Sequence, residues 1–80
     1  MKQEDVQNTV LKLVAEAAGL DACSPEMDLM DEAGLSSIAV MELLSVLEDQ
    51  YKIKLPARDL RFVATVGDLA ELVWNRASHL

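Results

Sequence analysis

The stretch Gly34-Leu35-Ser36-Ser37-Ile38-Ala39-Val40-Met41-Glu42-Leu43-Leu44-Ser45-Val46-Leu47-Glu48-Asp49-Gln50-Tyr51 decides the fold class. It opens as a helix entrance: a glycine to turn the chain, a serine whose hydroxyl accepts from a free backbone N–H, then a sustained apolar pattern. Ser36 is the expected N-cap. Ile38, Met41, Leu44 and Leu47 recur at steps of three, and Leu43, Leu47 and Tyr51 at steps of four, so two apolar stripes adjoin on one helix. That surface is wider than burial against one neighbour requires. Glu42, Glu48 and Asp49 take the remaining face, and the β-branched Ile53 with Pro56 places the end near Tyr51.

Further helices flank this one. Val6, Val10, Leu13, Val14 and Ala17 form a helical stripe, and Gly19 follows where a left-handed C-terminal cap favours glycine, so a first helix is expected to stop near Ala18. Residues 19–35 carry Pro25, two glycines and several acids. Leu20, Met27, Leu29, Met30 and Leu35 are spread through them without periodicity. A linker would not hold so many large apolar side chains; an ordered loop packed over the helices is expected, and such loops are often functional. After Pro56, residues 57–61 suit one or two helical turns that need packing to persist. Thr65-Val66-Gly67-Asp68 reads as a capping-box variant opening a last helix through Leu69, Leu72, Val73 and Arg76. The expected fold is all-α: a small four-helix bundle of three long helices and one short, with a long loop between the first two, in a single domain over residues 1–80.

Composition agrees and narrows the function. The chain has 80 residues, of which 51% are hydrophobic, but only three are aromatic (Tyr51, Phe62, Trp74). A domain of this size buries only about 60% of the surface its unfolded chain exposes, which leaves little room for a deep catalytic cleft. The net charge is −7. Residues 1–49 hold eleven acids and two bases, a balance of −9, whereas residues 50–80 hold three acids and five bases, a balance of +2. Such acidity excludes a nucleic-acid partner, which needs clustered cations to release counterions, and disfavours an anionic membrane surface. No apolar run approaches the length of a membrane span, and Met1-Lys2-Gln3-Glu4-Asp5 lacks signal-peptide character, so a cytoplasmic location is expected. The acidic front part suggests a basic partner addressing one side.

No catalytic constellation is apparent. The single histidine, His79, follows the last apolar repeat and reads as a solvated side chain. Cys23 has no partner for a disulfide or a thiolate metal site, and its acidic neighbours are expected to raise its thiol pKa. Asp28, Asp31, Glu32, Glu48 and Asp49 do not follow the alternating ligand spacing of a calcium loop, and glycine-rich phosphate loops are missing. No metal site and no enzymatic activity are expected.

Ser37, at the start of its helix in an acidic four-helix chain, is where a family resemblance enters. The run Gly34-Leu35-Ser36-Ser37-Ile38 resembles the Gly-Leu-Asp-Ser-Leu of acyl carrier proteins, in which the serine at the head of the second helix carries 4′-phosphopantetheine. Met41-Glu42-Leu43, Leu47-Glu48-Asp49, Tyr51, Ile53, Pro56 and Thr65-Val66-Gly67-Asp68-Leu69 are similar to further family landmarks in the same order, so the likeness covers residues 29–73. It implies covalent 4′-phosphopantetheine on Ser37. Modification of Ser36 instead would put Leu35 at the usual Asp position and Ser37 at the usual Leu position, whereas Ser37 keeps an apolar residue on its C-terminal side. Two departures stand out: Ser36 replaces the usual Asp, and Ala39 stands where many relatives carry another acid.

The resemblance implies a carrier that holds an acyl or aminoacyl thioester and delivers it to enzymes of fatty-acid, polyketide or related biosynthesis. Its expected partners are a phosphopantetheinyl transferase, an acyl or aminoacyl ligase, and downstream transferases or synthases. Ile38, Met41, Glu42, Glu48 and Asp49 are the expected partner-binding residues, with the chain acting as a monomer. Plain core packing is the competing reading for Met41, Leu44 and Leu47, while Ile38 is expected at the surface. Phe62 and Val63 are candidates for lining a pocket for the attached chain. The Gly-Gly-His or Gly-Gly-Asp run that often precedes the serine of peptidyl carriers is absent, which tilts the cargo toward acyl chains. The alternative is an unmodified helical interaction module of carrier-like fold.

Overall fold

The computed structural model describes residues 2–78; His79 lies outside them. Helix α1 spans Gln3–Ala18, α2 Ser37–Tyr51 and α3 Val66–Ala77, with a short 3₁₀ helix at Ala57–Phe62 between the last two. Among the described residues there are therefore three long helices and one short one, as the periodicities require. No helix among the described residues is long and apolar enough to cross a membrane.

One apolar core joins the helices. Val6, Val10 and Val14 of α1 are fully buried, as are Leu47 of α2 and Val66, Leu69 and Val73 of α3. α1 packs chiefly against α3 and more lightly against α2. The α1 stripe is rotated slightly from expectation: Ala15 is buried with the valines, Leu13 is half-buried and Ala17 is exposed. On α2 the buried set is Val40, Leu43, Leu44 and Leu47, so the core stripe runs through Val40 rather than Met41.

The helix ends form as their residues dictate. α1 stops at Gly19, which adopts φ 71°, and its amide donates to Ala15 and Glu16 carbonyls. α2 ends at Lys52, held at φ 56°, a left-handed conformation that costs a side-chain-bearing residue about 1–2 kcal/mol. At the head of α3, Thr65 Oγ1 accepts from Asp68 N at 3.0 Å while Asp68 Oδ2 accepts from Thr65 N at 3.1 Å and from Ala64 N at 3.0 Å. This completes the capping box read from Thr65-Val66-Gly67-Asp68.

The long loop is ordered by backbone pairing. Leu29 N donates to Ala64 O at 3.0 Å, Val66 N to Met27 O at 2.9 Å and Gly67 N to Pro25 O at 2.8 Å, so the loop lies along the strand-like approach to α3. Leu29, Ala33 and Leu35 are buried there, whereas Leu20 and Met30 remain exposed. Arg76 of α3 clasps the other connection: it donates to Lys54 O at 3.2 Å and pairs with Asp59 of the 3₁₀ helix.

Candidate functional site

The α2 N-terminus is built by its cap. Ser36 is extended, with φ −75° and ψ 165°, and its Oγ accepts from Ala39 N at 3.1 Å, while Val40 N donates to Ser36 O at 3.0 Å. Ser37 is the first helical residue and is exposed. The amides of Ser37 and Ile38 find no acceptor among the described residues, and the first turn of α2 contains no acid. An anion on Ser37 Oγ would therefore sit among unpartnered N–H groups at the positive end of the helix dipole. Those features fit a phosphodiester.

Beside Ser37 lies a cleft of about 330 Å³, within the range of small-molecule sites. Its walls come from three parts of the chain: Leu29 and Met30 of the long loop, Val40 of α2, and Leu60 with Val63 from the 3₁₀ helix and its end. Asp28 and Asp31 complete the rim. Val63 therefore stands where the sequence expectation put it. Phe62 does not: it is 71% exposed and borders a separate cleft with Leu72 and Asp68. Val63, the residue that ends the 3₁₀ helix, borders both clefts, whereas Phe62 borders only the second.

The partner-face residues also separate. Ile38 and Met41 are 72% and 46% exposed, and Glu42 and Asp49 are exposed with them. Val46, absent from the sequence expectation, is 47% exposed and continues the row, since positions three, four, seven, eight and eleven apart share one helix face. Glu48 departs from that row. It is half-buried, and its Oε2 accepts from Leu55 N at 2.7 Å, so it holds the chain after α2 in place. Sequence alone gave Glu48 no distinguishing mark, because its partner's place depends on the left-handed turn at Lys52.

The loop acids divide likewise. Asp28 Oδ2 accepts from Met30 N at 3.0 Å and Asp31 N at 2.7 Å, and Glu32 Oε1 accepts from Asp28 N at 2.8 Å. These two carboxylates fold the loop turn, whereas the Asp31 carboxylate stays exposed at the cleft rim. No group of three or more His, Cys, Asp or Glu among the described residues is arranged to hold a metal ion. Cys23 is half-buried and its thiol donates to Leu11 O at 3.0 Å. Burial, rather than the neighbouring acids, pushes its pKa up, so little thiolate forms.

Met30 and Leu60 were not distinguishable in sequence as site residues; only the aperiodic apolar content of the loop hinted that it covers something. Comparison with known proteins covers most of the chain. A family profile described as a phosphopantetheine attachment site matches residues 8–73. Meromycolate extension acyl carrier proteins of Mycobacterium leprae and Mycobacterium tuberculosis are 27% identical over 73 residues, covering 89% of this chain and 64% of theirs. This chain thus spans just under two thirds of those relatives. Among solved structures, the holo acyl carrier protein from Geobacter metallireducens superposes with a TM-score of 0.77 at 26% identity, over 92% of this chain and 87% of that one. A type-II acyl carrier protein from Streptomyces verticillus involved in bleomycin biosynthesis gives a TM-score of 0.81 at 22% identity, covering 91% of this chain and 87% of that one, a likeness of fold.

Proposed function

The chain belongs to the phosphopantetheine-attachment family of acyl-carrier type, and on that premise we propose that residues 1–80 form one carrier domain whose Ser37 bears the prosthetic group. The family's cofactor is covalent 4′-phosphopantetheine. When attached, that group supplies a flexible arm ending in a thiol, on which an acyl group is held as a thioester. The observation that carries the assignment is the exposed Ser37 hydroxyl at a helix N-terminus whose first amides lack acceptors, next to an apolar cleft. Ser36 is bonded to Ala39 N and acts as the cap, which leaves Ser37 as the serine free to be modified.

The chain's residues then have distinct duties. The amides of Ser37 and Ile38 favour the phosphodiester charge, and Leu29, Val40, Leu60 and Val63 offer an apolar shelter. The exposed row Ile38, Met41, Glu42, Val46 and Asp49 meets partner enzymes: the transferase that loads the arm, a ligase that charges it, and the synthases or transferases that use the cargo. Methionine at the middle of that row adapts to differing surfaces. Holding the cargo on a tether raises its effective concentration at each partner, so the chain needs no catalytic group of its own. Kinship with the meromycolate extension carriers and the missing Gly-Gly-His run both favour an acyl cargo over an aminoacyl one. A cytoplasmic location and a monomeric state accord with this duty.

Incubation with coenzyme A and a broad-specificity phosphopantetheinyl transferase tests the assignment. The Ser37 hydroxyl loses its proton and forms the phosphodiester as the coenzyme A pyrophosphate is cleaved and adenosine 3′,5′-bisphosphate leaves. Intact mass is expected to rise by one phosphopantetheinyl unit in the unaltered chain and to stay unchanged in Ser37→Ala. No gain, or a gain that persists in Ser37→Ala, would sink the proposal. Lack of any gain would support the unmodified interaction module, which the replacement of the usual acid by Ser36 favours.

A further inference from the structure

The cleft beside Ser37 is apolar in its walls and negative at its rim. Asp28 and Asp31 are the ionisable side chains lining it, and no Lys, Arg or His lines it among the described residues. The two acids are not equivalent. Asp28 spends its carboxylate on the amides of Met30 and Asp31, which offsets part of its charge. Asp31 is exposed and lines the cleft, and its carboxylate accepts no hydrogen bond among the described residues, so its charge there is not offset.

The cations nearest in sequence do not line the cleft. Arg58 and Arg61 flank Leu60 on the 3₁₀ helix, yet neither lines this cleft. The Arg61 guanidinium stands over the Phe62 ring, 4.9 Å from its centre, and that ring borders the other cleft together with Asp68 and Glu71. Arg76 is committed to Asp59 and Lys54 O.

Resting on the Ser37 assignment, we propose that this cleft selects cargo by charge: it shelters acyl chains whose far end is uncharged or an ammonium, and turns away those ending in a carboxylate. An alkyl tail against Leu29, Val40, Leu60 and Val63 is removed from water at a gain proportional to the apolar area covered. An ammonium-ended tail lays its methylene stem on the same walls and keeps its head at the rim, near Asp31. A carboxylate-ended tail loses water with no cation to replace it and is repelled by Asp31 besides. Half-thioesters of dicarboxylic acids therefore stay outside, whereas monocarboxylic acyl groups are held.

The experiment uses the full chain loaded on Ser37 with three non-hydrolysable coenzyme A amide analogues of matched length, n-octanoyl, ω-amino-octanoyl and ω-carboxy-octanoyl. Intact mass reports loading; thermal midpoint and the backbone amide shifts of Val40, Leu60 and Val63 report shelter. The n-octanoyl and ω-amino forms are expected to raise the midpoint above that of the holo protein bearing the free thiol and to shift those amides. The ω-carboxy form should stay near the holo value, with the two charged tails about 4 °C apart. Asp31→Lys should invert the order of the two charged tails, and Asp31→Asn should bring them together; far-UV circular dichroism checks that both variants fold. A carboxylate tail sheltered as well as the ammonium tail, no tail sheltered at all, or an order unmoved by Asp31→Lys would overturn charge selection while leaving the Ser37 assignment standing. Failure to load the unaltered chain would instead overturn the assignment, and this inference with it.

Discussion

Two adjacent serines at the head of α2 have different fates because their backbones differ. Ser36 is extended and turns its hydroxyl back onto Ala39 N, whereas Ser37 is already helical and leaves its hydroxyl in solvent. Serine and aspartate rank together as N-caps, so replacement of the family's usual acid by Ser36 leaves helix stability nearly unaffected. What changes is charge: a first turn without any acid attracts a basic partner less strongly. Ser36→Asp is therefore expected to keep stability within about 0.5–1 kcal/mol of the unaltered chain. It should also speed phosphopantetheinyl transfer several-fold, as read from the time course of intact mass. An unchanged rate would show that the missing acid does not limit loading. Ser37 is singled out as the proposed site by its neighbours in sequence, while the amides that lack an acceptor among the described residues became visible only with the helix in place.

At the scale of elements, the site depends on the long loop being held against the head of α3. Gly67 carries that contact. A Cβ placed there would lie 3.0 Å from Pro25 O and 3.2 Å from Pro25 Cβ, and its amide donates to the same carbonyl at 2.8 Å. Because the closer obstacle is backbone, it cannot rotate aside. Gly67→Ala is expected to cost about 1 kcal/mol net, the strain of about 1–3 kcal/mol from overpacking outweighing the helix-propensity gain of alanine. It should also broaden or shift the amide signals of Met27, Leu29 and Met30, which line or adjoin the cleft; urea unfolding and amide spectra would check both. An unchanged midpoint would mean that the loop yields freely. Sequence reading took Thr65-Val66-Gly67-Asp68 correctly as a helix opening, but in it Gly67 was only one letter of a motif. Its close approach to Pro25 brings together residues far apart in the chain, which no local pattern encodes.

For the whole molecule, stability must come from one small core and a few caps, since among the described residues Arg76–Asp59 is the one ion pair and Cys23 forms no disulfide. Acid should expose this. The amides of Ala64 and Thr65 hold the Asp68 carboxyl below its ordinary pKa of 3.8. The folded state thus binds that proton less readily than the unfolded chain. Its stabilisation is fully present above the ordinary value and is lost as pH falls toward and through the depressed folded one. Thermal midpoints are expected to fall on acidification below about pH 4.5, with a shallower fall in Asp68→Asn, whose side chain does not ionise. Equal slopes in the two proteins would remove Asp68 from the account. The sequence by itself determined the helices, the caps at Gly19, Ser36 and Thr65, and the kinship, because periodicity, capping and motif order are local properties that the chain writes down in order. The tertiary structure alone decided which apolar residues face the core and which stay exposed, turning Val40 inward and Met41 outward. It also turned Glu48 onto Leu55 N, kept Phe62 out of the cleft that Val63 lines and set Asp31 in that cleft beside Ser37. Those outcomes depend on which segments meet, and meetings between distant segments are fixed by packing the whole chain at once rather than by any stretch of it.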